Sequence, residues 1–200
     1  MGASPRLSLA GNAVIFGAEV NTKGGLYLIS GGPGAGKTTL LAALCAAGFA
    51  GAAEVSRQLI REQVSQGSAL VPWSDLAGFA ELALGRMVRQ HEAATRCGGI
   101  TFFDRGLPDL IAYLEVAGLP VAGHYYRALA AHPYHRQALL APPWPEIYVN
   151  DPERWQTLAE ATALHQALRH TYQRLGFEVL ELPRTTVLAR VAWVRATLAV

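Results

Sequence analysis

The sequence predicts an α/β domain: a parallel sheet covered by helices on both faces. Three observations carry that expectation. From residue 25 onward, short apolar runs alternate with longer helical stretches. The first apolar run, Leu26-Tyr27-Leu28-Ile29, ends at a glycine-rich turn that opens a helix. Apolar residues make up 51% of the 200 positions and charged residues only 16%, enough to bury a substantial core and too apolar for a disordered chain.

The elements follow in order. Residues 1–24 read as an appendage. Val14-Ile15-Phe16 has the composition of a short strand, but Gly11, Gly17, Gly24 and Gly25 bracket a stretch of weak pattern. The first strand, 26–29, leads to a helix from Lys37 to Ala47. Residues 49–55 form a weak, alanine-rich second strand. Residues 56–66 read as a helix with Leu59, Ile60 and Val64 on one face. Ser74 suits the N-cap of a long helix reaching Cys97, which Gly98-Gly99 ends. Residues 100–103 make a third strand, 107–117 and 122–131 two helices, and 137–141 a fourth strand stopped by Pro142-Pro143. A helix over 152–175, a strand over 177–182 and a closing helix over 185–198 complete the domain. In the closing helix the Leu, Val and Trp positions read as core.

Charge and cysteine usage exclude several classes. The net charge of +2 gives no global field for nucleic acid or an anionic membrane. The longest uncharged apolar stretch, 40–53, falls short of the ~18 residues a spanning helix requires. The N-terminus lacks a continuous apolar region of the signal-peptide kind. Cys45 and Cys97 have no ligand-like spacing and read as free thiols, which places the expected setting in the reducing cytoplasm.

The chemistry starts at Gly31-Gly32-Pro33-Gly34-Ala35-Gly36-Lys37-Thr38, which fits G-x-x-x-x-G-K-[ST] between a strand and a helix. Glycines let successive backbone N–H groups converge on phosphate oxygens, and the helix adds its positive end. Lys37 would reach the β- and γ-phosphates, Thr38 would place its hydroxyl on Mg²⁺, and Thr39 would touch the α-phosphate. Asp104 ends the third strand, 67 residues after Lys37, where an acidic side chain can hold Mg²⁺. Arg105 would then face the phosphates. After the second strand, Glu54 could accept the proton of an attacking hydroxyl. Arg57, one helical turn on, could hold the acceptor or the moving phosphoryl group; the plain alternative for this pair is a surface ion pair at i, i+3. Residues 142–158 form a candidate lid, with Arg154 the best source of a charge-neutralising cation and Arg136 the second. His132-Pro133-Tyr134-His135 lacks a third metal ligand. His124-Tyr125-Tyr126-Arg127 suits helix packing better than an acceptor pocket. His91, His165 and His170 read as exposed helix positions.

Several of these elements resemble one family in order: the phosphate loop, Glu54-Val55-Ser56-Arg57, Phe103-Asp104-Arg105-Gly106, Pro142-Pro143-Trp144 with Ile147-Tyr148, Asp151 with Glu153-Arg154, and Leu175-Gly176-Phe177-Glu178 with Leu182-Pro183. Over residues 25–198 the chain resembles the predicted-ATPase group of the AAA_28 domain family, which is similar to the ribosylnicotinamide kinase domain and to nucleoside and nucleotide kinases. The resemblance implies a three-layer P-loop NTPase fold of about five parallel strands in the order 2-3-1-4-5, with residues 25–200 as the domain. It is consistent with a phosphotransferase that moves the γ-phosphoryl group of ATP, with Mg²⁺, to a small acceptor such as a nucleoside or nucleotide. A switch or hydrolase using ATP or GTP shares the same loop, as does a binding module without turnover; no N-K-x-D guanine motif occurs.

Overall fold

The computed structural model describes residues 7–10, 13–16, 24–145 and 158–200. In chain order the elements are β1 (Leu7–Ala10), β2 (Ala13–Phe16), β3 (Gly25–Gly31), α1 (Lys37–Ala46), β4 (Ala50–Ala52), α2 (Val55–Ser65), α3 (Leu76–Cys97), β5 (Ile100–Asp104), α4 (Leu107–Val116), α5 (Gly123–Ala131), β6 (Gln137–Ala141), α6 (Leu158–Arg174), β7 (Glu178–Glu181) and α7 (Val187–Leu198). The strands form one sheet in the order β1-β2-β4-β5-β3-β6-β7. The five strands β4-β5-β3-β6-β7 are parallel to their neighbours. Counted among themselves, they follow the order 2-3-1-4-5. The hairpin β1–β2 extends the sheet antiparallel beyond β4, with Phe16 opposite Gly51. The signal for that extension was the apolar run at 14–16.

Side-chain alternation along the buried strands divides the core in two. Leu28, Phe103, Ala138 and Leu140 face α2, α3, α4 and α6. Tyr27, Ile29, Phe102 and Leu139 face α1 and α7. The loop after β3 thus turns to one face and the loop after its neighbour β5 to the other. Diverging loops of this kind open a crevice at the carboxyl ends of the strands. Parallel strand direction carries the phosphate loop after β3, Glu54 after β4 and Asp104-Arg105 after β5 to that edge.

Gly31 closes β3 with a positive φ of 131°, and a Cβ there would lie 2.4 Å from the Ala141 carbonyl oxygen of β6. Only glycine combines that conformation with that approach. Gly31→Ala is therefore expected to cost about 2 kcal/mol or more, read as a lower urea midpoint.

Helix boundaries differ from the sequence expectation by one or two residues, except at the start of the helix expected over 152–175, where residues 152–157 lie outside the described residues. The clearest case is α3, whose N-cap is Asp75 and not Ser74: the Asp75 carboxylate accepts the Gly78 N–H at 2.8 Å. Two of the histidines expected on exposed helix positions are buried. His91 packs against Phe103 and Tyr134 and bonds the Pro133 carbonyl oxygen. His165 lies beside Glu181 at 3.4 Å. Both sit on helix faces turned inward by the sheet, which helical periodicity alone does not rank. In α7, Val194 and Leu198 are core, but Leu188 is 76% exposed. Among the described residues no helix is long and apolar enough to cross a membrane.

Candidate functional site

The loop between β3 and α1 turns on Gly31, Gly34 and Gly36, all at positive φ. Pro33, Gly34, Gly36, Lys37, Thr38 and Thr39 line a cavity of about 470 Å³. Gly32 and Ala35 serve the loop through their carbonyls: Lys37 Nζ donates to Gly32 O at 2.8 Å, and Arg190 Nη1 donates to Ala35 O at 3.0 Å. Lys37 is only 6% exposed. Burial lowers its pKa to about 8, with Arg105 pushing the same way and Asp104, Glu54 and Asp109 opposing. An ammonium so placed gains from an anion that enters the loop.

Asp104 ends β5 and is buried. Its Oδ2 accepts the Thr38 hydroxyl at 2.8 Å, while its Oδ1 is buried without a partner. Burial raises the Asp104 pKa, and Glu54 adds to the effect; Lys37, Arg105 and the Thr38 hydroxyl oppose it. A carboxylate oxygen left unsatisfied beside a hydroxyl is a hard oxygen donor set, and it fits Mg²⁺ with water and phosphate completing the shell. Among the described residues there is no cluster of three or more His, Cys, Asp or Glu that would form an all-protein metal cage.

Glu54, at the N-cap of α2, faces Lys37 across the same cavity, joined by Arg57 and Arg105. Arg105 Nε donates to Glu54 Oε1 at 3.0 Å, and Arg57 Nε lies 3.6 Å from Glu54 Oε2. Burial pushes the Glu54 pKa up, but Arg105, Lys37 and Arg57 together hold it below the usual carboxylate range. The i, i+3 pair is thus present, but it forms part of a larger cluster at the crevice. Arg105 occupies the left-handed region at φ 70°, its N–H donating to Ile29 O at 2.9 Å. That conformation is costly for a side chain with a Cβ, and the Arg105 guanidinium is correspondingly pinned by its neighbours.

Of the candidate lid, residues 146–157 and with them Arg154 lie outside the described residues. Arg136 precedes β6 and so sits at the amino end of the sheet, opposite the cavity, with Nη2 on the Gly176 carbonyl. Tyr125 is buried with its hydroxyl on Glu81, and His124 pairs with the same carboxylate. None of residues 124–127 lines the cavity. Two further groups join the site, and apart from Trp144 their residues were not singled out by sequence. Trp144, Thr185, Thr186, Val187 and Arg190 close the far end of the cavity, with the Arg190 guanidinium 4.7 Å from the Trp144 ring centre. The signal was Arg190 inside the otherwise apolar stretch 187–194 of α7. The second group centres on Asp109, four residues after Arg105 and one turn into α4.

A 2-3-1-4-5 parallel sheet with this loop and this strand-end aspartate defines a P-loop kinase-like domain. The chain belongs to the AAA_28 family, described as an AAA domain, which matches residues 26–190. No curated protein matches it in sequence. Among the solved structures that share the fold at low identity are the following three. One is the NadR protein in complex with NR, at 15% identity and TM-score 0.57, covering 88% of this chain and 52% of that one. The chain therefore spans about half the length of NadR. The others are thymidylate kinases. That from Candida albicans has 14% identity and TM-score 0.54, covering 88% and 92% of the two chains. That from Ehrlichia chaffeensis has 15% identity and TM-score 0.54, covering 88% and 98%.

Proposed function

We propose that this protein is a small-molecule kinase that transfers the γ-phosphoryl group of ATP to a nucleoside- or nucleotide-like hydroxyl. One observation carries the reading: Glu54, flanked by Arg57 and Arg105, shares a single cavity with Lys37 and Thr38 of the phosphate loop. A carboxylate set opposite a phosphate loop has no use in merely gripping a polyanion, which it repels. It has a use in orienting an attacking hydroxyl in line.

In this reading residues 31–39 cradle the triphosphate. Trp144 and residues 185–187 flank the base. Thr38 and Asp104 hold Mg²⁺, which when bound neutralises charge on the β- and γ-phosphates. The acceptor oxygen bonds to the γ-phosphorus as the bond to the β,γ-bridging oxygen breaks, and ADP leaves with that electron pair. Glu54 is held too low to be a strong base, so it orients the hydroxyl and takes its proton late. Lys37, Arg57 and Arg105 offset the moving charge, and Arg154 of the lid is assigned the same role.

The test is ADP release from Mg·ATP with a panel of nucleosides, nucleotides and sugars. Release that depends on one acceptor class supports the kinase. Slow release indifferent to every acceptor favours a nucleotide-dependent switch and overturns the assignment.

A further inference from the structure

Asp109 is 1% exposed, and its two oxygens accept four hydrogen bonds. Oδ1 takes the Ser30 hydroxyl at 2.6 Å and Arg105 Nη1 at 3.3 Å. Oδ2 takes the Gly106 N–H at 2.9 Å and the Tyr172 hydroxyl at 2.7 Å. A carboxylate has about four lone-pair sites, and all are used. An aspartate at the third position of a helix needs only the N-cap N–H to do its capping work. The other three donors come from β3, from the strand-end arginine and from α6, so the convergence exceeds what α4 requires.

Its consequence is the placement of Arg105. That guanidinium lies 5.3 Å over the Tyr113 ring, with Nη1 on Asp109 and Nε on Glu54. Two arginines ion-pair with Glu54. Arg57 is 38% exposed at the longer distance and free to swing; Arg105 is 6% exposed and fixed. The position of Glu54 in the cavity is therefore inherited from Arg105. Tyr172 is 1% exposed and belongs to α6, the helix that follows the 142–158 segment in sequence.

We propose that Asp109 is a positioning residue: with Tyr172 it locks Arg105, and through Arg105 it sets Glu54 at the acceptor side of the cavity. The chain Tyr172–Asp109–Arg105–Glu54 makes the seating of α6 a condition for a correctly placed carboxylate. The inference rests on the reading of Glu54 as the acceptor-orienting group, and its test separates the two.

The full-length protein is examined as wild type, Asp109→Asn, Tyr172→Phe and Thr171→Val. Thr171 is buried on α6 beside Tyr172, but its hydroxyl goes to Glu115 instead. The first readout needs no acceptor: hydrogen exchange of the Arg105 Nε–H, followed by nitrogen-15 NMR and assigned by its loss in Arg105→Lys. Asp109→Asn is expected to speed that exchange about tenfold and Tyr172→Phe about threefold, while Thr171→Val leaves it unchanged. The second readout is the split between binding and turnover. Asp109→Asn is expected to lower kcat about tenfold, with the ATP Kd within about twofold of wild type and Thr171→Val normal in both. Unchanged Nε–H exchange in Asp109→Asn and Tyr172→Phe overturns the lock. Faster exchange with unchanged kcat and acceptor KM overturns the positioning role. An equal response of Thr171→Val shows a loosened helix and overturns both. If wild type turns over no acceptor, the kinase reading fails, and the exchange experiment still decides the lock. If Asp109→Asn fails to fold, Tyr172→Phe, which loses one hydroxyl, decides alone.

Discussion

Lys37→Met is expected to lower phosphoryl transfer about 10³-fold and to erase the thermal shift given by Mg·ATP, while leaving the ligand-free protein at least as stable as wild type. The two halves of this expectation have one cause. Without an anion the Lys37 ammonium is buried against the Gly32 carbonyl, and burial lowers its pKa from 10.5 to about 8. A folded-state pKa below the unfolded value means that at neutral pH the charged amine costs the fold about 3 kcal/mol. Methionine removes that cost and forfeits one hydrogen bond. The sign is checked by pH. As pH rises from 8 to 10.5, the unfolded chain still binds the proton that the native state has released, so wild-type stability should rise; the methionine variant should lack that rise. Wild type at a hundredfold excess over Kd should gain about 2.7 kcal/mol from nucleotide. A variant that melts well below wild type, or that keeps the nucleotide shift, would refute the argument. A residue held against its own solvation is the usual trade of stability for function.

What made the fold legible was local. The phosphate loop needs its glycines, lysine and threonine within eight consecutive positions, so the motif survives reading in one dimension. The same holds for Asp104 at the end of an apolar run. The strand order was not legible from pattern and came from the resemblance, because nothing in the runs at 50–52 and 100–104 says which lies beside β3. The edge hairpin was not foreseen because the short apolar run at 14–16, bracketed by glycines, gives little signal of what it pairs with. Asp109 and Arg190 escaped for a different reason. Each also has a partner far along the chain, Ser30 at 79 residues for the first and Ala35 at 155 for the second. Long-range hydrogen bonding of a buried charge leaves no periodicity behind. What remains readable is the anomaly itself: a charged residue on a helix face otherwise apolar must be paired in the interior or excluded from it.

Glu54→Gln should lower kcat about 10²-fold while the ATP Kd stays equal or tightens. Glutamine matches glutamate in shape but brings N–H donors to a place already crowded by Arg57 and Arg105, so it cannot keep both cations and orient a hydroxyl. Tighter ATP binding follows from the same change, since removing one negative charge leaves Lys37, Arg57 and Arg105 less neutralised beside the triphosphate. The pH profile adds a sharper condition. The surrounding cations outweigh burial and hold Glu54 below 4.5, so the carboxylate is ionised throughout the neutral range. Wild-type kcat should therefore carry no acid limb from Glu54 above about pH 5. The stability it lends is present above its unfolded pKa and lost as pH falls through the lower folded value, and Glu54→Gln should lack that acid-side loss. An acid limb near pH 6 that vanishes in the glutamine variant would mean a carboxylate with a raised pKa acting as a true base. Turnover equal to wild type would remove Glu54 from the reaction, and with it the reason for reading this cavity as that of a kinase.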